Sequence, residues 1–328
     1  MAADKIPLLI DVDTGIDDAL ALLHACASPQ ANILGVTTVA GNVDLERATR
    51  NTRAVLALAG RADIPVWRGC ARPILREGED ASAVHGVAGL GYANLPDPSP
   101  LGDARHAVDQ ILAIAQSCAG ELVLVATGPL TNIAVAIIRE PALTTWVKRL
   151  VLMCGAFKEG GNTTPAAEFN IWRDPEAARI VFRAFGEDGA APLVAVGLDV
   201  TRKVQLLPEH LSALAGRIGE APRASALMRF LEDATRHYFE FIEKREGRRF
   251  FTMHDPLALA AALDPSLIET QRVAVDVETA GALTAGMTVA DWRHVWKLRP
   301  GADVAIGVRA EAMIVQFLDR MEWLARQP

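Results

Sequence analysis

Short stretches that are apolar at every position recur along this 328-residue chain, with helical patterns between them. Ile6–Ile10 leads into helical spacing over Asp17–Ala27, and Ile33–Val39 leads into Leu45–Ala59. Pro65–Trp67 reads as a short strand and Ala107–Cys118 as a helix. Glu121–Ala126 carries the run LVLVA and is followed by a helix over Leu130–Ile138. Leu150–Met153, a helix at Pro175–Phe185 and a strand at Leu193–Val200 continue the alternation. A strand apolar on both sides cannot leave either side in water, so each needs cover on two faces, and the intervening helices supply it. The pattern predicts an α/β fold around a mostly parallel sheet. The last third changes character. Pro208–Gly247 is helical and charged, Val273–Glu278 and Thr288–Trp292 suit a β-hairpin, and Val304–Val308 and Glu311–Ala325 add a strand and a helix. Without a repeat, a linker or a low-complexity tract, residues 1–328 are expected to form a single domain with a small C-terminal hairpin and helical addition.

Composition narrows the function. The chain has 33 Lys and Arg against 40 Asp and Glu, a net charge of −7, and no basic cluster that overrides it. Nucleic-acid binding driven by phosphate contacts is therefore not expected. No apolar run approaches a membrane span, and the N-terminal segment lacks the apolar core of a leader peptide. Cys26, Cys70, Cys118 and Cys154 are widely spaced with no Cys-x-x-Cys, which reads as buried thiols in a reducing compartment. The expected location is cytoplasmic.

The chemistry gathers after the first strand. Asp11-Val12-Asp13-Thr14-Gly15-Ile16-Asp17-Asp18 places four carboxylates within eight residues. In an open parallel sheet, ligands bind beyond the carboxyl ends of the strands. Acids this close repel one another unless a cation holds them, and hard cations such as Ca²⁺ accept several oxygen ligands in irregular geometry. Asp17 and Asp18 also suit the first turn of a helix, where acids complement the dipole, but that accounts for only part of the cluster. A calcium-binding helix–loop–helix would need an acid at its twelfth position, where Leu22 stands. A haloacid-type phosphatase is excluded by Gly15, which occupies the place of its Thr or Val. Further polar groups follow other strands. They are TTVAGN with Asn42, ATGPLTN with Thr127, Thr131 and Asn132, and the Lys158–Asn170 loop with Asn162, Glu168 and Asn170. Asn and Thr at such places also cap helices. His254-Asp255-Pro256 opens an apolar helix, so Asp255 reads locally as an N-cap, like Asp174 and Asp264. His85 lies in a Gly-rich stretch of the long Arg68–Arg105 loop, HGVAGLG, and reads equally as a solvated or a lid residue.

Together, DVDTGIDDALAL, TTVAGN, HGVAGLG, ATGPLTNIA, the GGN…AEFN loop and HDPLALA resemble the inosine–uridine-preferring nucleoside hydrolase family. They run in the family's order from residue 11 to residue 260, and the remaining third is compatible. The resemblance implies a Rossmann-like sheet with one Ca²⁺ at its rim. It implies Asp13, Asp18, the Thr127 carbonyl and Asp255 as metal ligands, with Asp13 also the general base on a metal-bound water. Asp17, Asn42, Asn162, Glu168, Asn170 and Asp255 would hold the ribose, Met153 would pack beneath it, and His85 and His254 would face the nucleobase. His254, with a pKa near neutral, would be the leaving-group acid. Asp11 would be structural. Thr14 stands where many members carry Pro, Ala285 replaces a common Arg, and Asp303 falls near a frequent Asn. Tyr238, on the helix before HDP, suits either the base pocket or the core.

The resemblance implies hydrolysis of the N-glycosidic bond of ribonucleosides through an oxocarbenium-like transition state, by a homodimer or homotetramer. Two alternatives remain at this point: a hydrolase of another ribosylated compound, and a non-catalytic nucleoside binder. Retention of the full acidic set argues against the second. Phosphorolysis would need an anion site, which an acidic rim does not offer.

Overall fold

In the computed structural model, which describes residues 5–77, 81–98 and 103–328, the fully apolar runs form the middle of one sheet. Six strands come first in the chain: β1 (Ile6–Val12), β2 (Ala31–Thr38), β3 (Val66–Arg68), β4 (Leu122–Ala126), β5 (Val147–Met153) and β6 (Leu193–Val196). A short antiparallel pair, β7 (Gln205–Leu206) and β8 (Phe251–Thr252), stands apart. Then follow β9 (Ile268–Val273), the hairpin of β10 (Val275–Val277) and β11 (Thr288–Ala290), and β12 (Ala302–Val308). The order in the large sheet is β3-β2-β1-β4-β5-β6-β12-β9. Every neighbouring pair is parallel except the last, where β9 runs antiparallel to β12. The order reverses between β1 and β4, the switch point beyond which open α/β sheets place their ligands.

Helices cover both faces. In chain order they are α1 (Ile16–Cys26), α2 (Leu45–Leu58), α3 (Ser82–His85), α4 (Ala107–Ser117), α5 (Thr131–Arg139), α6 (Leu143–Trp146) and α7 (Phe169–Arg173). Then come α8 (Pro175–Phe185), α9 (Leu198–Thr201), α10 (Pro208–Ile218), α11 (Ala224–Glu246), α12 (His254–Leu263) and α13 (Ala310–Ala325). The strand period of two divides the core. Leu8, Ile10 and Val12 of β1, with Val123 and Val125 of β4, pack with α1, α2, α11, α12 and α13. Leu9, Leu122, Leu124 and Ala126 face the other way, onto α4, α5 and α8. Both faces are therefore dry, as the runs require.

Several expected boundaries shift. The strand anticipated at Leu193–Val200 stops at Val196, and Leu198–Thr201 turns into the short α9. The helical stretch Pro208–Gly247 divides into α10 and α11 around Gly219, whose φ of +53° ends α10. Strand β9 precedes the expected Val273–Glu278 and carries exposed Glu269, Thr270 and Arg272, so it lacks the apolar signature of the inner strands. The hairpin forms as anticipated. Asp174 and Asp264 are caps, accepting from Ala177 N at 3.1 Å and Ser266 N at 3.1 Å. All four cysteines are unpaired, and no helix among the described residues is long and apolar enough to cross a membrane.

One buried group lies away from the sheet rim. His24, on α1, is 1% exposed beside Phe317 of α13, and neither ring nitrogen has a partner at hydrogen-bonding distance. Burial, and then the charge of Arg320, push its pKa down to about 3. Folding thus favours the neutral ring. As pH falls from 6.5 toward 3, the unfolded chain takes up a proton that the folded state refuses, at a cost of about 1.4 kcal/mol per pH unit. Wild-type protein should lose stability more steeply than His24→Leu between pH 6.5 and 5, by denaturant titration. Parallel losses in the two proteins would remove His24 as the cause.

Candidate active site

The turn after β1 brings the carboxylates to the switch point. Asp11 ends its course within the sheet, where Oδ1 accepts from Thr37 Oγ1 at 2.5 Å and Asn132 Nδ2 at 2.7 Å. Burial nevertheless raises its pKa to about 7. Asp11 therefore joins β1, β2 and the start of α5 and does not line the cavity, in keeping with a structural role.

Asp13 is fully buried. Its Oδ2 accepts from the Asn42 backbone amide at 2.6 Å, and its Oδ1 from the Asn42 side-chain amide at 3.2 Å. The glycine of TTVAGN has a steric reason, since a Cβ on Gly41 would lie 2.0 Å from Asp13 Oδ2. Burial, and next the charge of Asp18, raise the Asp13 pKa well above the usual carboxylate range. Asp18 caps the start of its own helix through Gly15 N at 2.9 Å and accepts from Thr127 Oγ1 at 2.7 Å. It also accepts from Asn42 Nδ2 at 3.2 Å, so one asparagine spans two acids.

Asp17, Asp18 and Asp255 each offer a carboxylate oxygen within 4.8 Å of the others. Asp17 Oδ1 is buried with no hydrogen-bond partner. Burial raises all three pKa values, Asp17 to about 6, and Asp255 is driven higher by the charges of Asp17, Asp18 and Asp13. An oxygen-only donor set, crowded negative charge and an orphaned oxygen fit a hard divalent cation. The tight group contains Asp18 and Asp255, as anticipated, but has Asp17 where Asp13 was expected; Asp13 stands beside it, held by Asn42 through both oxygens. The Thr127 carbonyl, also expected as a ligand, accepts from Asn170 Nδ2 at 2.7 Å, which leaves its second lone pair. Asp255 lies in the first turn of α12 but provides no side-chain cap, so the local N-cap reading is corrected.

Asp17 and Asp255 open into a cavity of about 290 Å³, whereas Asp13 and Asp18 are fully buried and are not part of its lining. Asp17, Asn42, His85, Thr127, Met153, Asn162, Glu168, Asn170, His254 and Asp255 all line it. Several are already engaged. Glu168 caps α7, accepting from Asn170 N at 2.8 Å and Ile171 N at 3.2 Å, and also from Gly155 N at 2.9 Å. Asn162 is exposed, and its Oδ1 accepts from Phe169 N at 3.0 Å. His85 is buried; its Nδ1 accepts from Ile16 N at 3.1 Å and stands 3.8 Å from Asp17 Oδ1. It thus serves the start of α1 as well as the cavity, and burial lowers its pKa to about 4. His254 is half-buried, with Nδ1 2.8 Å from Thr201 Oγ1. Burial, and then the charge of Arg202, lower its pKa to about 3. The expectation of a histidine titrating near neutrality is therefore corrected: the unliganded ring is neutral at pH 7.

The far wall was largely unread in the sequence. Tyr238, Phe241, Ile242 and Arg245 of α11 form one stripe at helical spacing, which an aromatic-rich i, i+3, i+4, i+7 pattern signals. Tyr238 does both jobs considered for it, lining the cavity while its ring packs 4.5 Å from that of Phe251. Arg202 was missed. It donates to Gly161 O at 2.8 Å and approaches Glu159 at 3.4 Å, fastening the loop that carries Asn162.

A carboxylate whose pKa is raised by folding stabilises while protonated and loses that contribution as pH rises through the folded value. Metal-free protein held in chelator should therefore lose Tm from about pH 5 to 7, as Asp11 and Asp17 are forced to ionise. Saturating divalent cation should flatten that loss. A Tm profile unaffected by the cation would contradict a metal site at this cluster.

A family model described as inosine-uridine preferring nucleoside hydrolase matches residues 8–314. The chain is 37% identical over 317 residues to the inosine-uridine preferring nucleoside hydrolase of Leishmania major, covering 96% of this chain and 97% of that one. It is 37% identical over 323 residues to the pyrimidine-specific ribonucleoside hydrolase RihA of Salmonella gallinarum, covering 98% and 99%. The solved structure of a purine-preferring ribonucleoside hydrolase from Gardnerella vaginalis superposes with a TM-score of 0.89 at 32% identity, over 98% of this chain and 99% of the other.

Proposed function

The chain belongs to the inosine-uridine preferring nucleoside hydrolase family, and from that we propose that it cleaves the N-glycosidic bond of ribonucleosides to free nucleobase and ribose. The observation that carries the reading is the acidic cluster Asp17, Asp18 and Asp255 beside Asp13, at the sheet's switch point, with Asp17 and Asp255 lining a nucleoside-sized cavity. We read the chain as one domain, since β12 returns to the central sheet beside β6. We also read it as a cytoplasmic enzyme, on its four unpaired cysteines.

Asp18 and Asp255 would anchor a calcium ion, completed by Asp13 and the Thr127 carbonyl. When bound, Ca²⁺ would acidify and orient a water and grip the sugar diol. Asp17, with its unpaired Oδ1, would take a ribose hydroxyl. Asn170 has both amide hydrogens committed to main-chain carbonyls, which leaves its Oδ1 to accept from the sugar. Met153 packs under the ring. In the reaction the C1′–N bond breaks with its electron pair leaving on the base. The water oxygen bonds C1′, and Asp13 accepts the water's proton. The surrounding carboxylates favour the positive charge that builds on the ribosyl group. His254, neutral in the unliganded site, meets the departing base with a hydrogen bond from a ring N–H, and the released base is protonated by solvent.

Purified protein should release ribose from ribonucleosides and act far more slowly on 2′-deoxyribonucleosides, because a site built to bond a hydroxyl rejects analogues without it. Asp18→Asn should abolish both turnover and the Ca²⁺-induced rise in Tm. Asp17→Asn should lose turnover but keep most of the Tm rise; loss of that rise would make Asp17 a ligand. Absence of ribose release from a broad nucleoside panel, with calcium present, would refute the function.

The two ends of the reaction separate by leaving group. Asp13→Ala should lower kcat on every substrate by roughly two to four orders of magnitude. His254→Ala should lower kcat strongly for inosine or uridine but spare p-nitrophenyl riboside, whose phenolate departs unaided. Equal losses on both would withdraw His254 from the leaving-group end.

A further inference from the structure

The short helix α9 lies where a strand was expected, and its side chains reach the loop after β5 and His254. Asp199 accepts from the backbone amides of Phe157 at 2.9 Å, Lys158 at 2.7 Å and Glu159 at 3.2 Å. Leu198 N donates to Gly155 O at 2.9 Å. Arg202, directly after the helix, donates to Gly161 O at 2.8 Å. The helix is thus locked to the end of β5 and to the loop beyond it, and a side chain on it is held rigidly. Thr201 is fully buried there, and its hydroxyl is 2.8 Å from Nδ1 of His254.

We infer that Thr201 is a positioning residue for the leaving-group end of the reaction: its hydroxyl donates to Nδ1 of His254, fixing the ring and the tautomer with the proton on Nε2. The inference rests on the nucleoside-hydrolase reading of His254. With Nδ1 engaged, Nε2 is the ring nitrogen left for a ligand in the cavity that His254 lines. A neutral imidazole has one N–H, and which nitrogen carries it is set by the bond the other makes. A departing base accumulates electron density on nitrogen or oxygen and needs a donor facing it. The opposite tautomer would present a lone pair to that density. Thr201 requires no charge to impose the choice, and the anchored helix imposes it before substrate arrives.

The test compares Thr201→Val, which keeps shape and removes the hydroxyl, with Thr201→Ser, which keeps the hydroxyl. On inosine and uridine, Thr201→Val should lower kcat by roughly tenfold, the rate equivalent of one hydrogen bond, with KM little changed. It should leave p-nitrophenyl riboside within about twofold, and Thr201→Ser should recover the loss, as one retained hydrogen bond predicts. Ring ¹⁵N shifts of His254 in the wild-type enzyme should show the proton on Nε2, which tests the inference even if the valine variant fails to fold. A proton on Nδ1 in the wild type, or a valine variant equally slowed on both substrate classes or unaffected on both, would overturn it. Failure of the underlying reading has a different signature: His254→Ala would then slow both substrate classes alike. Leaving-group selectivity in His254→Ala but not in Thr201→Val would overturn the positioning role alone.

Discussion

The rest of the structure is organised around a concentration of buried negative charge at one point of the sheet. Asp11, Asp13, Asp18 and Asp255 are all at most 2% exposed, and Asp17 is close by. Burying a carboxylate costs several kcal/mol unless hydrogen bonds or a counter-charge replace its water. The protein supplies the first kind of compensation from neutral groups. Asn42 bonds Asp13 and Asp18, Thr127 bonds Asp18, and Thr37 and Asn132 bond Asp11. Among the described residues, no Lys or Arg is hydrogen-bonded or ion-paired to these carboxylates, so their negative charge is uncompensated, as the proposed cation and ribosyl transition state require.

The same economy governs the rim of the cavity. Glu168 and Asp199 have acceptor oxygens filled by backbone amides, so each works as a local fold-former at a loop that could not otherwise satisfy its main chain. The cavity side chains with something left to give are the Asp17 oxygen, the Asn170 carbonyl and the His254 ring. A site wall made of committed carboxylates is stiff, and that stiffness holds the few open groups in register.

Much of this was legible in the sequence, and the limits have physical causes. Continuous apolar runs fixed the inner strands because both faces of a parallel strand are dry. Strand β9 escaped because an edge strand keeps polar residues on its open side. The strand at Leu193–Val200 was drawn too long because VGLDV is apolar enough to continue it, whereas Gly197 and the capture of Asp199 by three amides turn the chain into α9. The acidic motif and HDP pointed to residues that the fold brings together, yet local spacing could not separate a cap from a ligand at Asp255, and only tertiary placement shows that it caps nothing. The His254–Thr201 bond spans 53 positions of sequence and leaves no local trace. His85 reads equally as a solvated or a lid residue in the sequence, whereas its burial and its bond to Ile16 N tie it to the first helix.

The two edges of the large sheet differ from its interior in a way that bears on how the protein behaves at high concentration. One edge, β3, is only three residues long and ends in exposed Arg68. The other, β9, runs antiparallel and presents Glu269 and Arg272 outward. An unpaired edge of an apolar parallel sheet would template the addition of another chain, strand upon strand. A stub at one border and a charged strand at the other deny that template, so the stickiest backbone in the molecule is confined to its centre. The hydrophobic runs that define the fold are thereby kept from seeding aggregates.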